Sequence, residues 1–456
     1  MKQYLYLLLS LFLSSHSSFA QKPTKAQIRW QNSELAVLVS YDLHVFDNKR
    51  YIQKENRVKP IKNINMFNPT DYDTDQWARS ISNMGAKIAV LTATHETGFA
   101  LYQSDVNPYC MKVLKWKDGK GDIVKDFVES CRKYGIQPGI YIGIRWNSLL
   151  GVYDFKVQGD NNDFTKNRQE FYNYLCEEMT RELVSRYGDL AMVWYDGGAS
   201  GPDRGGPNVL PIVEKYQKDF IFYRNTERSD IRWAGNEEGF VNYPSWGRFP
   251  FKSTLYLNVP SNMPSDIIRT GSPNGKYYIP AMADTPLRGY NGKHEWFWEP
   301  GDENYIYPLE NLMDMYHKSV GRNATLIIGI TPDDKGLIPK ADSIRMAEFG
   351  NTIKQTYGHP VGQIKGSGAA FSIKFDTPEK ISKIVVQEDL NTGECVNKFR
   401  ISGKKSNGKW IQLVENTNIG NKYIERLKSS IDVVEVKLQI LDFSDTPNIA
   451  NFAVYK

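Results

Sequence analysis

Between about residues 35 and 335 the sequence alternates short runs of β-branched and other apolar residues with longer amphipathic segments. This alternation is typical of repeated βα units, in which a helix follows and covers each strand of a parallel sheet. Eight such strands over about 300 residues predict a (β/α)8 TIM barrel, an α/β fold. The predicted strands are LAVLVSYD, KIAVLTATH, PGIYIGIRW, LAMVWYDG, FIFYRN, TLYLNV, YYIPAMA and TLIIGITP.

Helical patterns separate several of these strands. Three of the helices are followed by Gly85, Gly135 and Gly188, and glycine most easily takes the left-handed conformation that ends a helix. Residues 245–310 are rich in Pro, Gly and aromatic residues, so we expect the barrel to be distorted or incomplete there. The predicted helices are DQWARSISNMG, DIVKDFVESCRKYG, FTKNRQEFYNYLCEEMTRELVSRYG, VLPIVEKYQKD and LENLMDMYHKSVG.

A second domain begins after GHPVGQIKGSG, where the pattern changes to short alternating strands separated by polar turns. The Asn-Gly of KSNGKW stands between two strand-like runs, which strongly favours a β-hairpin. We therefore predict a barrel over residues 21–356 and an antiparallel β-sandwich over residues 357–456. A carbohydrate-binding role for the sandwich and a purely structural one both remain open.

The first 20 residues, MKQYLYLLLSLFLSSHSSFA, combine an early lysine, a leucine-rich core and a finish of small residues. This pattern predicts a secretory signal peptide over residues 1–20, cleaved after Ala20. The apolar run over residues 4–13 is shorter than the roughly 20 residues that a membrane-spanning helix needs. We expect a periplasmic or extracellular protein without membrane insertion.

The charges of the chain are mixed along its length: 57 basic and 52 acidic residues give a formal net charge of +5. Because no basic run stands out, we expect neither nucleic acid nor an acidic membrane as a partner. The four cysteines show no metal-site spacing and are too few for a disulfide framework. We expect buried free thiols, with one long-range disulfide as the alternative.

Polar residues follow the predicted strands at their C-terminal ends, which is where barrels of this kind carry their reactive groups. Two carboxylates from different strand ends, with aromatic and basic neighbours, suit hydrolysis of a glycosidic bond. In chain order the candidates are Asp42, His44, His95, Glu96, Tyr141, Arg145, Trp146, Asp196, Arg232, Trp233, Glu237 and Glu238.

Asp196 is the predicted nucleophile, because it ends a rigid strand and a nucleophile needs accurate alignment. The alternative interpretation is that Asp196 has only a structural role, in the turn formed with the two glycines that follow it. Glu237, in a glycine-bearing loop, is the predicted acid/base, and we expect aromatic neighbours to raise its pKa by desolvation. A metal site built on His44 and His95 is a further alternative, but the chain has no HxH motif, so we expect no metal and no cofactor.

Five ordered motifs over about residues 35–350 together resemble the family 29 glycoside hydrolases, the α-L-fucosidases. The first contains the helix after F-x-P and the His-containing loop before G-F, and the third is similar to the family's nucleophile strand. The fourth is similar to the acid/base loop of one subgroup. The motifs are FNPTDYDTDQWARSISNMGAKIAVLTATHETGFALYQS, GIYIGIRW, VWYDGG, DIRWAGNEEG and HKSVGRNATLIIGITPDDKGLIP.

The resemblance implies hydrolysis of α-L-fucosides with net retention and without a metal, by Asp196 as nucleophile and Glu237 as acid/base. Retention implies that the two carboxyl groups lie roughly 5 to 5.5 Å apart. The C-terminal domain is similar to the galactose-binding-like jelly rolls that accompany such barrels. The residues implied to line the sugar pocket are His44, His95, Tyr141, Trp194 and Trp233.

The chain departs from the family pattern where a second histidine is expected before G-F, because Glu96 follows His95 instead. The motif after the first strand keeps His44 but loses its Trp-Gly. An extra acceptor at Glu96 favours an L-galactose-type sugar as an alternative to L-fucose. An alternative from a different functional class is a catalytically inactive glycan-binding protein. We expect fucosylated or related oligosaccharides and glycoconjugates as partners, with linkage set by loops near residues 200–210 and 285–305.

Overall fold

The computed structural model of the protein describes residues 21–47 and 49–456, so the predicted signal peptide lies outside the described residues. The helices are α1 (Lys25–Ser33), α2 (Gln53–Asn56), α3 (Thr74–Met84), α4 (Ile123–Lys133), α5 (Asp163–Arg186), α6 (Leu210–Tyr216), α7 (Ile267–Thr270), α8 (Leu309–Ser319) and α9 (Lys340–Tyr357).

The strands up to the end of the barrel are β1 (Leu35–Val39), β2 (Ile88–Thr94), β3 (Gln137–Ile142), β4 (Val152–Tyr153), β5 (Lys156–Val157), β6 (Met192–Ala199), β7 (Ile221–Asn225), β8 (Arg232–Trp233), β9 (Arg248–Phe249), β10 (Tyr277–Tyr278), β11 (Ala281–Pro286) and β12 (Ala324–Ile330). Those that follow are β13 (Gly362–Ser367), β14 (Ala370–Glu388), β15 (Val396–Lys404), β16 (Trp410–Asn416), β17 (Tyr423–Phe443) and β18 (Asn448–Tyr455).

Eight strands form a nearly closed parallel barrel in the order β7-β6-β3-β2-β1-β12-β11-β8. Strands β1, β2 and β12 are buried along their whole length, as parallel strands are when helices cover the sheet. The two edge strands β7 and β8 are not hydrogen-bonded to each other, and this is where the barrel stays open. The predicted barrel is therefore confirmed, and its opening lies between β7 and β8, before the region 245–310 in which the distortion was expected.

One predicted strand is wrong: TLYLNV, residues 254–259, lies in turns and loops. The amide of Thr254 binds the hydroxyl of Ser229 and Tyr256 has a left-handed φ of 52°, so this segment has no strand geometry. The sixth barrel strand is instead the two-residue β8. It escaped prediction because it is short and because its Arg232 buries a charged side chain against the backbone carbonyls of Ile268 and Ile279.

The predicted helices match α3, α4, α5, α6 and α8. Asp73 and Asp122 cap α3 and α4 by accepting hydrogen bonds from backbone amides three residues on. The expected left-handed glycines are present, since Gly85, Gly135 and Gly188 have φ values of 87°, 71° and 71°. Helices α1, α2, α7 and α9 were not predicted.

Helix α1 lies across the N-terminal end of the barrel. A capping box between Thr24 and Gln27 starts it, and the buried Trp30 anchors it. The side-chain amide of Gln27 also donates to the carbonyls of Asp230, just before β8, and Tyr278, in β10. This helix covers the end of the barrel opposite to the strand termini that carry the candidate site.

The C-terminal domain is one antiparallel sheet in the order β13-β18-β14-β17-β15-β16 that forms a sandwich-like unit around its own apolar core. Register shifts within β14 and β17 let the two long strands bend, so that each serves both layers. Two strands predicted over residues 369–390 are therefore the single strand β14. The predicted KSNGKW hairpin joins β15 to β16, with Gly408 at a φ of 81°.

Asn323 joins the two domains. Its side-chain amide donates to the carbonyl of Ser245 at 2.9 Å, and its Oδ1 accepts from the amide of Asn421 at 2.7 Å. The backbone beside it also pairs with residues 422–424 of the sandwich. The sandwich is thus fixed against the last strand of the barrel.

All four cysteines, Cys110, Cys131, Cys176 and Cys395, are buried and free, as expected. In the part of the chain that the structure describes, no helix combines the length and the apolar character needed to cross a bilayer.

Candidate active site

A cavity of about 500 Å³ opens at the C-terminal ends of the barrel strands. The side chains that line it come from β1, β2, β3, β6, β7, β8 and β11 and from the segments that follow them. Eight of the candidates named from the sequence are among them, whereas His44 and Glu96 do not line the cavity. The eight are His95, Tyr141, Arg145, Trp146, Trp194, Asp196, Trp233 and Glu237.

Asp196 lies within β6 and faces the cavity, immediately before Gly197 and Gly198. Both glycines have positive φ, 67° and 89°, so the chain turns sharply after the carboxylate. A Cβ on Gly197 would lie 2.7 Å from the side chain of Arg145, so any other residue here would have to displace that side chain. The two glycines therefore allow the turn, and the turn places the Asp196 carboxylate at the cavity.

The pKa of Asp196 is raised above its usual value. Burial is the main cause, and the negative charge of Glu237 adds to it, while hydrogen bonds from the Gly197 amide and the Tyr141 hydroxyl act in the opposite direction. Both carboxyl groups line the same cavity. They come from β6 and from the loop after β8, as two groups flanking one bound ring should.

Glu237 accepts hydrogen bonds on Oε2 from Nε1 of Trp296 at 3.0 Å and from Nε2 of His294 at 2.5 Å. Burial alone would raise its pKa, but these contacts with His294 and Trp296 outweigh burial and lower it. The expected rise is therefore not observed, because the aromatic neighbours donate hydrogen bonds as well as exclude water.

Several lining residues were not identified from the sequence, and those with most bearing on the chemistry are Asp284 in β11 and His294, Trp296 and Phe297 in the loop that follows. The loop itself, residues 285–305, was expected to shape the substrate side. The sequence ADTP could have identified Asp284, because this aspartate follows an apolar run as Asp196 does. The predicted strand YYIPAMA ends one residue before this aspartate and therefore leaves it out.

His44 and His95 lie in an aromatic cluster behind and beside the cavity. The ring centroid of Phe297 is 4.2 Å from that of His44 and 4.8 Å from that of His95, and Tyr51 stacks on His44. Burial lowers both pKa values, that of His95 to about 3, so both rings are neutral. Among the described residues, neither nitrogen of His44 nor Nδ1 of His95 has a hydrogen-bond partner.

Glu96 is buried and engaged on both of its oxygens. Nε of Arg57 lies 2.7 Å from Oε1, and the Tyr51 hydroxyl lies 3.1 Å from Oε2. The guanidinium carbon of Arg57 lies 3.7 Å from the ring centroid of Trp146, which fixes the arginine at the cavity wall. Glu96 therefore holds Arg57 in place, rather than presenting a free carboxylate to the cavity.

The sequence left a metal site at His44 and His95 as an alternative. Within residues 21–47 and 49–456, no three His, Cys, Asp or Glu side chains are arranged as a metal-binding group. Asp42, the acidic neighbour of His44, instead accepts hydrogen bonds from the Thr97 hydroxyl at 2.8 and 2.9 Å and from the Leu43 amide at 2.7 Å.

Comparison with known proteins agrees with the fold. The profile of the α-L-fucosidase family matches residues 15–358. A solved structure from Bacteroides thetaiotaomicron, assigned as a putative α-L-fucosidase, is 49% identical and superposes with a TM-score of 0.94 over 96% of this chain and 100% of its own. The α-L-fucosidase 1 of Arabidopsis thaliana is 23% identical, with 99% of this chain and 92% of that protein covered.

A more distant structure shares the fold. It is a point mutant of a Ruminococcus gnavus family 29 fucosidase in complex with fucose, 20% identical, with a TM-score of 0.78 over 97% of each chain. The barrel, its sandwich-like companion and the family match define a glycoside hydrolase. The chain belongs to the α-L-fucosidase family.

Proposed function

We propose that this protein is an exported, retaining exo-α-L-fucosidase that releases terminal α-L-fucosyl residues from glycans. The observation that carries the proposal is the pair Asp196 and Glu237, which approach one cavity from different strand ends, so that the charge of Glu237 raises the pKa of Asp196. Export rests on the predicted signal peptide. The name of the Ruminococcus gnavus structure, which includes bound fucose, supports the choice of sugar.

The reaction proceeds in two displacements. In the first, the Asp196 carboxylate attacks the anomeric carbon, the bond to the aglycone oxygen breaks, and Glu237 gives that oxygen a proton. In the second, Glu237 takes a proton from water, the water oxygen attacks the same carbon, and Asp196 leaves. Two inversions give net retention.

The first step needs Asp196 ionised and Glu237 protonated. In the free enzyme the negative charge of Glu237 contributes to the raised pKa of Asp196, so the charge state of Glu237 affects the ionisation of Asp196. When Glu237 takes up a proton this repulsion ends, and Asp196 then ionises more easily. A single proton on Glu237 thus prepares both carboxyl groups for the first displacement.

The surrounding side chains suit one terminal sugar. His95, Tyr141 and Trp194 line the cavity beside Asp196, and the neutral His95 carries a buried nitrogen that no described residue binds. Such a nitrogen gains a hydrogen bond when a sugar hydroxyl arrives. The aromatic faces cover the apolar side of the ring, including a 6-methyl group.

The test compares Asp196 variants on nitrophenyl α-L-fucoside. Asp196→Ala should abolish turnover while leaving the folded state intact, as judged by circular dichroism. Asp196→Gly with added azide should recover turnover on the activated substrate and give the fucosyl azide of inverted configuration. Unchanged release of fucose by Asp196→Ala would contradict the assignment of the nucleophile.

Retention is tested separately, by proton NMR of the first-formed anomer released by the wild-type enzyme. A catalytically inactive glycan-binding protein would bind fucosylated oligosaccharides but release no sugar from any of them. Wild-type hydrolysis of the fucoside excludes that alternative.

A further inference from the structure

A third carboxyl group, that of Asp284, lines the same cavity. It lies near the end of β11, between the edge strand β8 and the central strand β12, and only 5% of the residue is exposed. One of its oxygens, Oδ1, accepts a hydrogen bond from Nε1 of Trp233 at 2.8 Å. The mechanism above has no step for this group.

The surroundings of Asp284 disfavour a negative charge. Within the described part of the chain, no Lys, Arg or His forms an ion pair with it, and Trp233 is its only side-chain hydrogen-bond partner. The titratable groups that face it are Glu237 from the loop after β8, Asp196 from β6 and Tyr223 from β7. A buried carboxylate beside two other carboxyl groups, without a cation, is costly, so the neutral acid is the stable form.

The direction of the pKa agrees with this geometry. Burial raises the pKa of Asp284 well above its usual value, the charges of Glu237 and Asp196 raise it further, and the hydrogen bond from Trp233 offsets only part of the rise. A protonated carboxyl group differs from an ionised one in what it offers a ligand. It can donate one hydrogen bond while its carbonyl oxygen accepts another.

We propose that Asp284 is a neutral carboxylic acid that donates a hydrogen bond to an oxygen of the terminal sugar while its other oxygen positions Trp233. The inference rests on the proposed function and deepens it. It makes Asp284 a substrate-binding residue and gives the enzyme a requirement for an acceptor oxygen at that point of the ring.

Asp284→Asn separates the protonated form from the ionised one. Asparagine keeps the shape, the neutrality, the acceptor for Trp233 and a donor toward the cavity, so kcat/KM on nitrophenyl α-L-fucoside should fall by no more than about fivefold. Asp284→Ala removes the donor and leaves the Trp233 N–H unpaired, so kcat/KM should fall by about 30-fold or more. If Asp284 were an anion, Asp284→Asn would be as damaging as Asp284→Ala.

The matched control is Asp196→Asn, the same chemical change on the carboxyl group that must ionise. It should abolish turnover, whereas Asp284→Asn should not. Circular dichroism and thermal unfolding of each variant test whether the fold is kept. Equal loss in Asp284→Asn and Asp284→Ala, with both folded, would overturn the proposal.

A second readout is independent of activity. Infrared difference spectra of wild type minus Asp284→Asn at neutral pH should contain the C=O stretching band of a protonated carboxylic acid. Absence of that band would overturn the neutral state. If the wild-type enzyme failed to hydrolyse fucosides but the band were present, the proposed function would fail while the neutral state of Asp284 would be supported.

Discussion

Nε of Arg57 lies 2.7 Å from Oε1 of Glu96, at the position where the family pattern places a second histidine. With the Tyr51 hydroxyl on its other oxygen, Glu96 already has partners for both oxygens. Glu96 also does not line the cavity, so an additional hydroxyl on an L-galactose-type substrate would not contact its carboxylate. We therefore expect kcat/KM to be at least about tenfold higher for nitrophenyl α-L-fucoside than for the α-L-galactoside, since an unpaired buried hydroxyl costs about 1–3 kcal/mol.

Glu96→Ala distinguishes the two roles of this side chain. If Glu96 positions Arg57, its removal should lower kcat/KM for both substrates by a similar factor and leave their ratio unchanged. A selective loss on the galactoside would show instead that Glu96 binds the extra hydroxyl.

The hydrogen bonds to Glu237 predict a shift in the pH profile. The N–H of Trp296 stabilises the ionised form of Glu237 and contributes to its lowered pKa. Trp296→Phe keeps an aromatic ring but removes this donor, so the pKa of Glu237 should rise. Because Glu237 must be protonated in the first step, the alkaline limb of kcat/KM should move to higher pH. A limb that stays in place, or moves to lower pH, would show that Glu237 is not the group that limits activity there.

The parts of the fold that could be predicted from sequence are those governed by local patterns. Strands such as β2 and β12 are continuous apolar runs, and helices such as α3 carry both a capping Asp and a closing glycine. Strand β8 could not be found in this way, because its two residues form a strand only when β11 lies beside them. Its side chain Arg232 is stabilised by carbonyls distant in sequence.

In the candidate site, too, residues in local motifs could be predicted, whereas residues defined by distant contacts could not. Asp196 and Glu237 were identified because each stands in a recognisable local motif, and both line the cavity. His294 and Trp296 were not, because their significance lies in their contact with Glu237, nearly sixty residues earlier in the chain. The direction of the Glu237 pKa was missed for the same reason, since it depends on these two donors.

Asp42 makes stability depend on pH. Burial raises its pKa to about 7 in the folded protein, despite the hydrogen bonds from Thr97 and Leu43, whereas the unfolded chain has the ordinary value of 3.8. Between these values the folded state binds more protons, so this group makes the unfolding free energy fall as pH rises from about 4 to about 7. The decrease contributed is at most about 4 kcal/mol, and above about pH 7 the contribution is constant.

Asp42→Asn removes this titration. Urea unfolding at several pH values from about 5 to about 8 should therefore show a flatter pH dependence for Asp42→Asn than for wild type. Glu388, whose pKa burial also raises to about 7, contributes in the same direction in both proteins. The exposed Asp118→Asn is the control and should follow wild type. An equally steep curve for Asp42→Asn would contradict the raised pKa of Asp42.

Asn323 is expected to be the most sensitive contact between barrel and sandwich. The residue is buried and has a left-handed φ of 63°. Its side-chain N–H groups donate to the carbonyl of Ser245 and the carboxylate of Glu394. Its side-chain oxygen accepts from the side-chain amide of Gln31 and the backbone amide of Asn421. Removal of this side chain leaves several buried groups unpaired. Asn323→Ala should therefore lower the unfolding free energy by about 2–4 kcal/mol.

Asn323→Gly separates the hydrogen bonds from the backbone conformation, because glycine adopts positive φ without cost. If the hydrogen bonds dominate, Asn323→Gly should lose nearly as much stability as Asn323→Ala in urea unfolding. Asn161→Ala, at an exposed position, is the control and should change the unfolding free energy by less than about 0.5 kcal/mol. Stability of Asn323→Gly close to that of wild type would show that the domains are held together mainly by their apolar contacts, to which Ile424 and Tyr455 of the sandwich contribute.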